Sequence, residues 1–233
     1  KQLEFVAKGI EMNKRIATEG LKNKSGMALG HMLSQGQGSV SEYAKIMTAS
    51  ACDARMSGYS LPVMSCAGSG NHGLVAFLPV VSVGEKSGKT FEQILRAVTL
   101  SLLVTIYVKS YTGTLSPVCG CGVAAGVGAS AAIAYLLGGD LAQIDGAIKN
   151  MIGGLSGIIC DGAKPGCAFK LSISAGSAIE AAEMALNNIY ISFYDGIVDT
   201  TAEKTIQNMG KVATMGMVDT DETILEVMLM KCS

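Results

Sequence analysis

SYTGTLSPVCGCGVAAGVGASAAIAYLLGG, residues 110–139, runs for thirty positions without a charged side chain. A stretch of about 20 apolar residues is long enough to cross a bilayer. The segment therefore reads either as a membrane span or as the buried helix of a helical core. Gly113, Pro117, Gly120, Gly122, Gly126 and Gly128 interrupt it, and Ser110, Thr112 and Thr114 make its opening polar. The buried helix is the better reading, over 122–137 with Gly138 and Gly139 ending it, and no membrane partner is expected. Its small residues let neighbouring backbones come close, so the packing around it should be tight.

Working outward, every other segment also reads as helix. Thr90 caps a long helix over 91–111. Residues 1–20 place Leu3, Val6, Ile10 and Ile16 at helical spacing. Glycines at 26, 30, 36 and 38 mark a loop-rich link, after which Ser39 or Ser41 caps a helix from about 42 to 58. Residues 60–73 read as a short extended piece and a Gly-rich loop, followed by a helix from about 73 and a turn at 84–90. Helices over 141–160, 168–190, 202–209 and 220–230 complete the chain, the last with Thr220 as its cap. No series of alternating strands occurs. The expectation is an all-α fold: one domain over 1–233, a compact bundle of glycine- and alanine-rich helices with a Gly-rich loop and a cysteine-lined cavity.

Composition narrows the function classes. Charged residues make up 16% and hydrophobic residues 49%, and the formal net charge is −1, so no basic footprint points to nucleic acid. The seven cysteines are not spaced like a small secreted disulfide scaffold. The amphipathic, charged start does not read as a signal peptide, and a reducing cytoplasm is the expected location.

The cysteines carry the chemistry. Cys119 and Cys121 flank Gly120 just after Pro117, and Cys160 and Cys167 bracket DGAKPG at 161–166. Thiolates are soft ligands that select zinc or iron–sulfur clusters. A helix start beside Cys119 and Cys121 favours an anionic group. Pro165 and Gly166 oppose a continuous helix, so 161–166 should be a loop with Cys167 opening the next helix. The plainer alternative is a set of buried free cysteines. CAGSGNHG, from Cys66, resembles an anion-cradling loop whose backbone N–H groups, with Ser69, Asn71 and His72, could hold a carboxylate or phosphate; an ordinary turn with a surface His is the alternative. Lys164 lies between the loop cysteines and either holds a substrate carboxylate or solvates the loop, and Lys170 is similar. His31 and Cys52 read as structural, and Cys232 as exposed and inert.

SCAGSGNHG at 65–73, LSPVCGCGVAAGVGASAAIAYLLGGD at 115–140, GIICDGAKPGCAFK at 157–170 and the closing GKVATMGMVDTDETILEVM resemble the C-terminal part of the serine dehydratase α-chain superfamily, in its L-cysteine desulfidase branch. The resemblance implies an oxygen-labile [4Fe–4S] cluster held by Cys160, Cys167 and a third cysteine, Cys121 in preference to Cys119. It implies a lyase that converts L-cysteine to pyruvate, sulfide and ammonia, or an L-serine dehydratase. A non-catalytic thiol-rich or zinc-binding helical module is the reading from a different class. Longer members of that branch carry an N-terminal half with a candidate catalytic cysteine. The expected partners are therefore a small amino-acid substrate and a missing half or partner subunit, with homo-oligomerisation open. No catalytic base is assigned; Cys66 and His72 are the nearby candidates.

Overall fold

The computed structural model describes residues 3–36 and 38–231; Cys232 lies outside them. The described residues form an all-α fold of ten α-helices without a named strand. In chain order these are α1 (Glu4–Lys22), α2 (Leu29–Leu33), α3 (Val40–Met56), α4 (Gly70–Lys86), α5 (Phe91–Thr112), α6 (Ala125–Leu136), α7 (Leu141–Leu155), α8 (Cys167–Leu186), α9 (Ala202–Lys211) and α10 (Thr220–Met230). A π-helical turn, Gly120–Ala124, leads into α6, and another, Val212–Gly216, follows α9.

The uncharged stretch of 110–139 does not span as one unit. It contains the end of α5, an irregular link, the π turn and α6. Tyr135 is the one exposed residue of α6, which packs against α4, α5, α7 and α8. A Cβ at Gly128 would overlap the Ser101 carbonyl and the Thr105 hydroxyl of α5, so only glycine allows this approach. Helix α4 is as deeply placed: every residue from Gly70 to Gly84 is buried. Phe77, Leu74 and Leu78 of α4, Ile133 of α6, Met151 and Ile152 of α7 and Leu171 of α8 fill a continuous core. Among the described residues, α5 is the helix long and apolar enough to cross a membrane by length and composition. It packs on α4, α6 and α9.

Several boundaries differ from the sequence reading. The glycine-rich link contains α2, because the buried carboxylate of Asp53, on α3, accepts hydrogen bonds from Met27 N–H (3.1 Å) and Gly30 N–H (3.1 Å). Helix α4 starts at Gly70 rather than 73 and runs on to Lys86 through Pro79, so the turn at 84–90 shrinks to the residues around Gly88, whose φ is 66°. Helix α7 ends at Leu155, five residues before Cys160, which leaves the cysteine in extended backbone. Helix α8 ends at Leu186 rather than 190. Asp219 rather than Thr220 occupies the cap position of α10, whose described residues include no buried one.

Candidate functional site

Two backbone hydrogen bonds bring the distant cysteines together. Cys119 N–H donates to Ile158 O (2.8 Å), and Cys160 N–H donates to Pro117 O (2.6 Å), forming an antiparallel bridge between Val118 and Ile159. Pro117 can serve only as acceptor here, having no N–H. Residues 161–166 form the expected loop, and Cys167 opens α8.

The result is a cavity of about 310 Å³ lined by Cys119, Cys121, Cys160 and Cys167, and also by Ser69, Asn71 and His72. Three helix starts supply these residues apart from Cys160: α4, the π turn leading to α6, and α8. Each helix N-terminus carries partial positive charge and unpaired N–H groups. At the first of them, Cys66 and Ser69 exchange backbone hydrogen bonds of 3.1 Å around Ala67 and Gly68, whose φ values are 46° and 83°. Ser69 makes no side-chain cap on α4, so its hydroxyl stays available.

The thiols interact with one another. The neighbouring Cys121 thiol raises the Cys119 pKa, the Cys160 thiol opposes, and burial adds to the rise. The neighbouring Cys119 thiol, then burial, pushes Cys160 well above the usual thiol range. Without a cation Cys119 and Cys160 therefore favour the thiol form, and metal loading at these two would have to release protons. Among the described residues, no three His, Cys, Asp or Glu side chains are close enough to hold one metal ion. Four soft donors spread around a cavity match the donor chemistry of a cluster, whose ligands surround a larger body.

His72 is buried rather than at the surface. Its Nδ1 lies 3.1 Å from Cys66 O, which can only accept, so Nδ1 is the donor and neutral His72 carries its lone pair on Nε2. A Cβ at Gly120 would overlap the His72 ring, which explains the glycine between the two cysteines. Burial, then the charge of Lys109, lowers the His72 pKa.

Other expected site residues have different roles. Asn71 lines the cavity, but its Oδ1 accepts from Arg55 Nη1 (2.9 Å) on α3, which ties this side chain to the scaffold. Lys164 does not line the thiol cavity. It pairs with Asp161 and lies in a separate cleft against α10, with Thr223, Ile224 and Val227. Lys170 does line the thiol cavity and pairs with the other oxygen of Asp161. Burial opposes ionisation of Asp161, yet the hydrogen bonds from Lys164 and Lys170 hold its pKa down at about 2. The Cys66 thiol faces Leu102 O (3.8 Å) and burial pushes its pKa up to about 11, which makes it a poor proton acceptor. Cys52 is buried beside Asn71, and His31 is half-buried on α2. Lys109 lines the cavity and was not selected from the sequence. It is the only charge between Arg96 and Asp140, a signal the surrounding apolar run contained.

The chain is 65% identical over its full length to a UPF0597 protein of Clostridium tetani, covering 55% of that protein. It is 56% identical over 99% of its length to a UPF0597 protein of Caldanaerobacter subterraneus subsp. tengcongensis, and 48% identical over 98% of its length to one of Clostridioides difficile, again covering 55% of each. The chain thus spans about half the length of these relatives. No solved structure matches it significantly. The family described as serine dehydratase alpha chain matches residues 1–226, and the chain belongs to that family.

Proposed function

We propose that this chain is the cluster-bearing part of a lyase that removes the β-substituent of a small amino acid, with L-cysteine as the first candidate substrate and L-serine as the alternative. The observation that carries this reading is the convergence of four thiols and three helix starts on one cavity. Cys160, Cys167 and Cys121, or Cys119 in its place, would hold a [4Fe–4S] cluster. Such a cluster, when bound, supplies a Lewis-acidic iron for the departing thiol or hydroxyl.

The chain's own residues supply the rest. The first turn of α4, with the Ser69 hydroxyl, offers donors to a substrate anion. His72 lines the cavity with its lone pair on Nε2, beside Gly120, its ring fixed by the Nδ1–H bond to Cys66 O, and Nε2 is the acceptor proposed for the α-proton. Loss of that proton and of the β-thiol gives aminoacrylate and sulfide; hydrolysis of the aminoacrylate gives pyruvate and ammonia. Arg55 positions Asn71 beside His72 from behind.

Anaerobic reconstitution with iron and sulfide tests the reading, using the chain alone and combined with the remaining length of its relatives. The expected result is visible cluster absorbance and pyruvate release from L-cysteine or L-serine by the combined protein. Zinc retained in place of iron, without turnover of either amino acid, would favour the non-catalytic thiol module.

A further inference from the structure

Lys109, near the C-terminal end of α5, is 6% exposed and lines the thiol cavity. Among the described residues no carboxylate and no hydrogen-bond acceptor pairs with its ammonium, which is not fully enclosed and opens onto the cavity. Asp161, the acid lining that cavity, is already paired with Lys164 and Lys170. Burial lowers the Lys109 pKa, while the neighbouring thiols Cys121, Cys160 and Cys119 act in the opposite direction. A buried cation without a partner is costly, and an apolar side chain of similar volume would avoid that cost. Lysine at this position is accounted for if an anion enters the cavity and completes the pair.

We propose that Lys109 is the anchor for the α-carboxylate of the amino-acid substrate, an assignment that rests on the lyase reading above. It faces the same cavity as Ser69 and the start of α4. Between them they offer a fixed point charge and neutral N–H and O–H donors, which suits a carboxylate. A charge-assisted pair of this kind is the strong class of polar contact. The substrate's amino group and β-substituent then face the wall formed by the cysteines and His72. The sequence-based candidates for this role, Lys164 outside the cavity and Lys170 on its wall, are both committed to Asp161.

The test is anaerobic titration calorimetry on the reconstituted protein. The probes are L-alanine, which keeps the carboxylate but has no leaving group, and ethylamine, which lacks the carboxylate. Wild type, Lys109→Met and Lys109→Gln are compared, with thermal midpoint and visible absorbance recorded for each. The expected result is at least about tenfold weaker L-alanine binding in both variants. Ethylamine should bind all three proteins alike, and absorbance should be unchanged. The thermal midpoint of Lys109→Met should equal or exceed that of wild type, because an unpaired buried charge is removed. If Lys109→Met does not fold, Lys109→Gln carries the comparison. Unchanged L-alanine affinity in a folded variant overturns the assignment, as does lost cluster absorbance with affinity intact, which would tie the lysine to the metal group. If wild type forms a cluster and releases pyruvate while the variants bind normally, the lyase reading stands and Lys109 is wrong. If wild type neither forms a cluster nor turns over substrate, the lyase reading fails and the anchor assignment falls with it.

Discussion

The helix starts on the scaffold differ from those around the cavity. Helices α3, α5 and α7 each begin with a complete capping box: Ser39 with Glu42, Thr90 with Gln93, and Asp140 with Gln143. In each, the side chains close two otherwise unpaired N–H groups reciprocally. At the cavity, Ser69 of α4 and Gly166 of α8 make no side-chain cap, and the π turn is capped by a thiol, with Gly122 N–H donating to Cys119 Sγ at 3.3 Å. Helices α1 and α10 also start without side-chain caps, but away from this cavity. The three boxed starts satisfy their own N–H groups, whereas the starts at the site leave donors open for a ligand and give up local stability to do so.

The sharpest test of this division is at the thiols. Cys160→Ser or Cys167→Ser should eliminate visible absorbance after reconstitution. Cys52→Ser and Cys66→Ser, away from the cavity wall, should retain it and instead lose about 1–3 kcal/mol in denaturant titrations, because each buries a hydroxyl in place of a thiol. Equal absorbance in all four variants would remove the cluster from this cavity. Next in size, Gly120→Ala pushes on the His72 ring. It should reduce kcat/KM by about tenfold to a hundredfold and lower stability by about 1–3 kcal/mol. Retained kcat/KM would show that the ring position does not matter to the chemistry.

A pair of cap substitutions addresses the comparison directly. Asp140→Ala should cost about 1 kcal/mol of stability and leave kcat/KM unchanged. Ser69→Ala should do the reverse, raising KM with little change in melting temperature. If Ser69→Ala destabilises the chain as much as Asp140→Ala does, the open starts are ordinary caps. The smallest effect is on pH dependence. Burial and the charge of Lys109 lower the His72 pKa in the folded chain. A depressed imidazole pKa stabilises the fold above the unfolded value of about 6.5. That stability is lost as pH falls from there through the folded pKa. His72→Gln should flatten the acid limb of the stability curve; a parallel curve would mean the residue titrates as it does when unfolded.

The fold was legible because the longest helices announce themselves locally. Thr90 and Ser39 mark starts, and the small-residue run after Cys121 reads correctly as a buried helix. What was missed depends on distant partners. Helix α2 needs Asp53 from α3 to receive its N–H groups. The helix through Pro79 was expected, but not its start at Gly70, which is packed close against Arg55 of α3 and Val63. At the site, the cysteines and the Gly-rich loop were visible as motifs, but the bridge that joins them is a backbone pairing with no side-chain signature. Lys164 and Lys170 stand out in the sequence because they lie at the loop cysteines, whereas Lys109 carries no such motif. The structure pairs Lys164 with Asp161 and places Lys109, a lone charge in an apolar helix, on the cavity wall.

The bridge between Val118 and Ile159 also bears on the order of folding. It joins the strand-like pieces on either side of α6 and α7, so it closes only after those two helices have turned back on each other. Loop closure of this kind costs entropy before any contact compensates. The cysteines of these two segments therefore meet only once α6 and α7 have turned back on each other. On the proposed reading, iron offered during synthesis would find scattered thiols and iron offered afterwards a shaped cavity, so loading of a cluster would double as a check that the chain has folded.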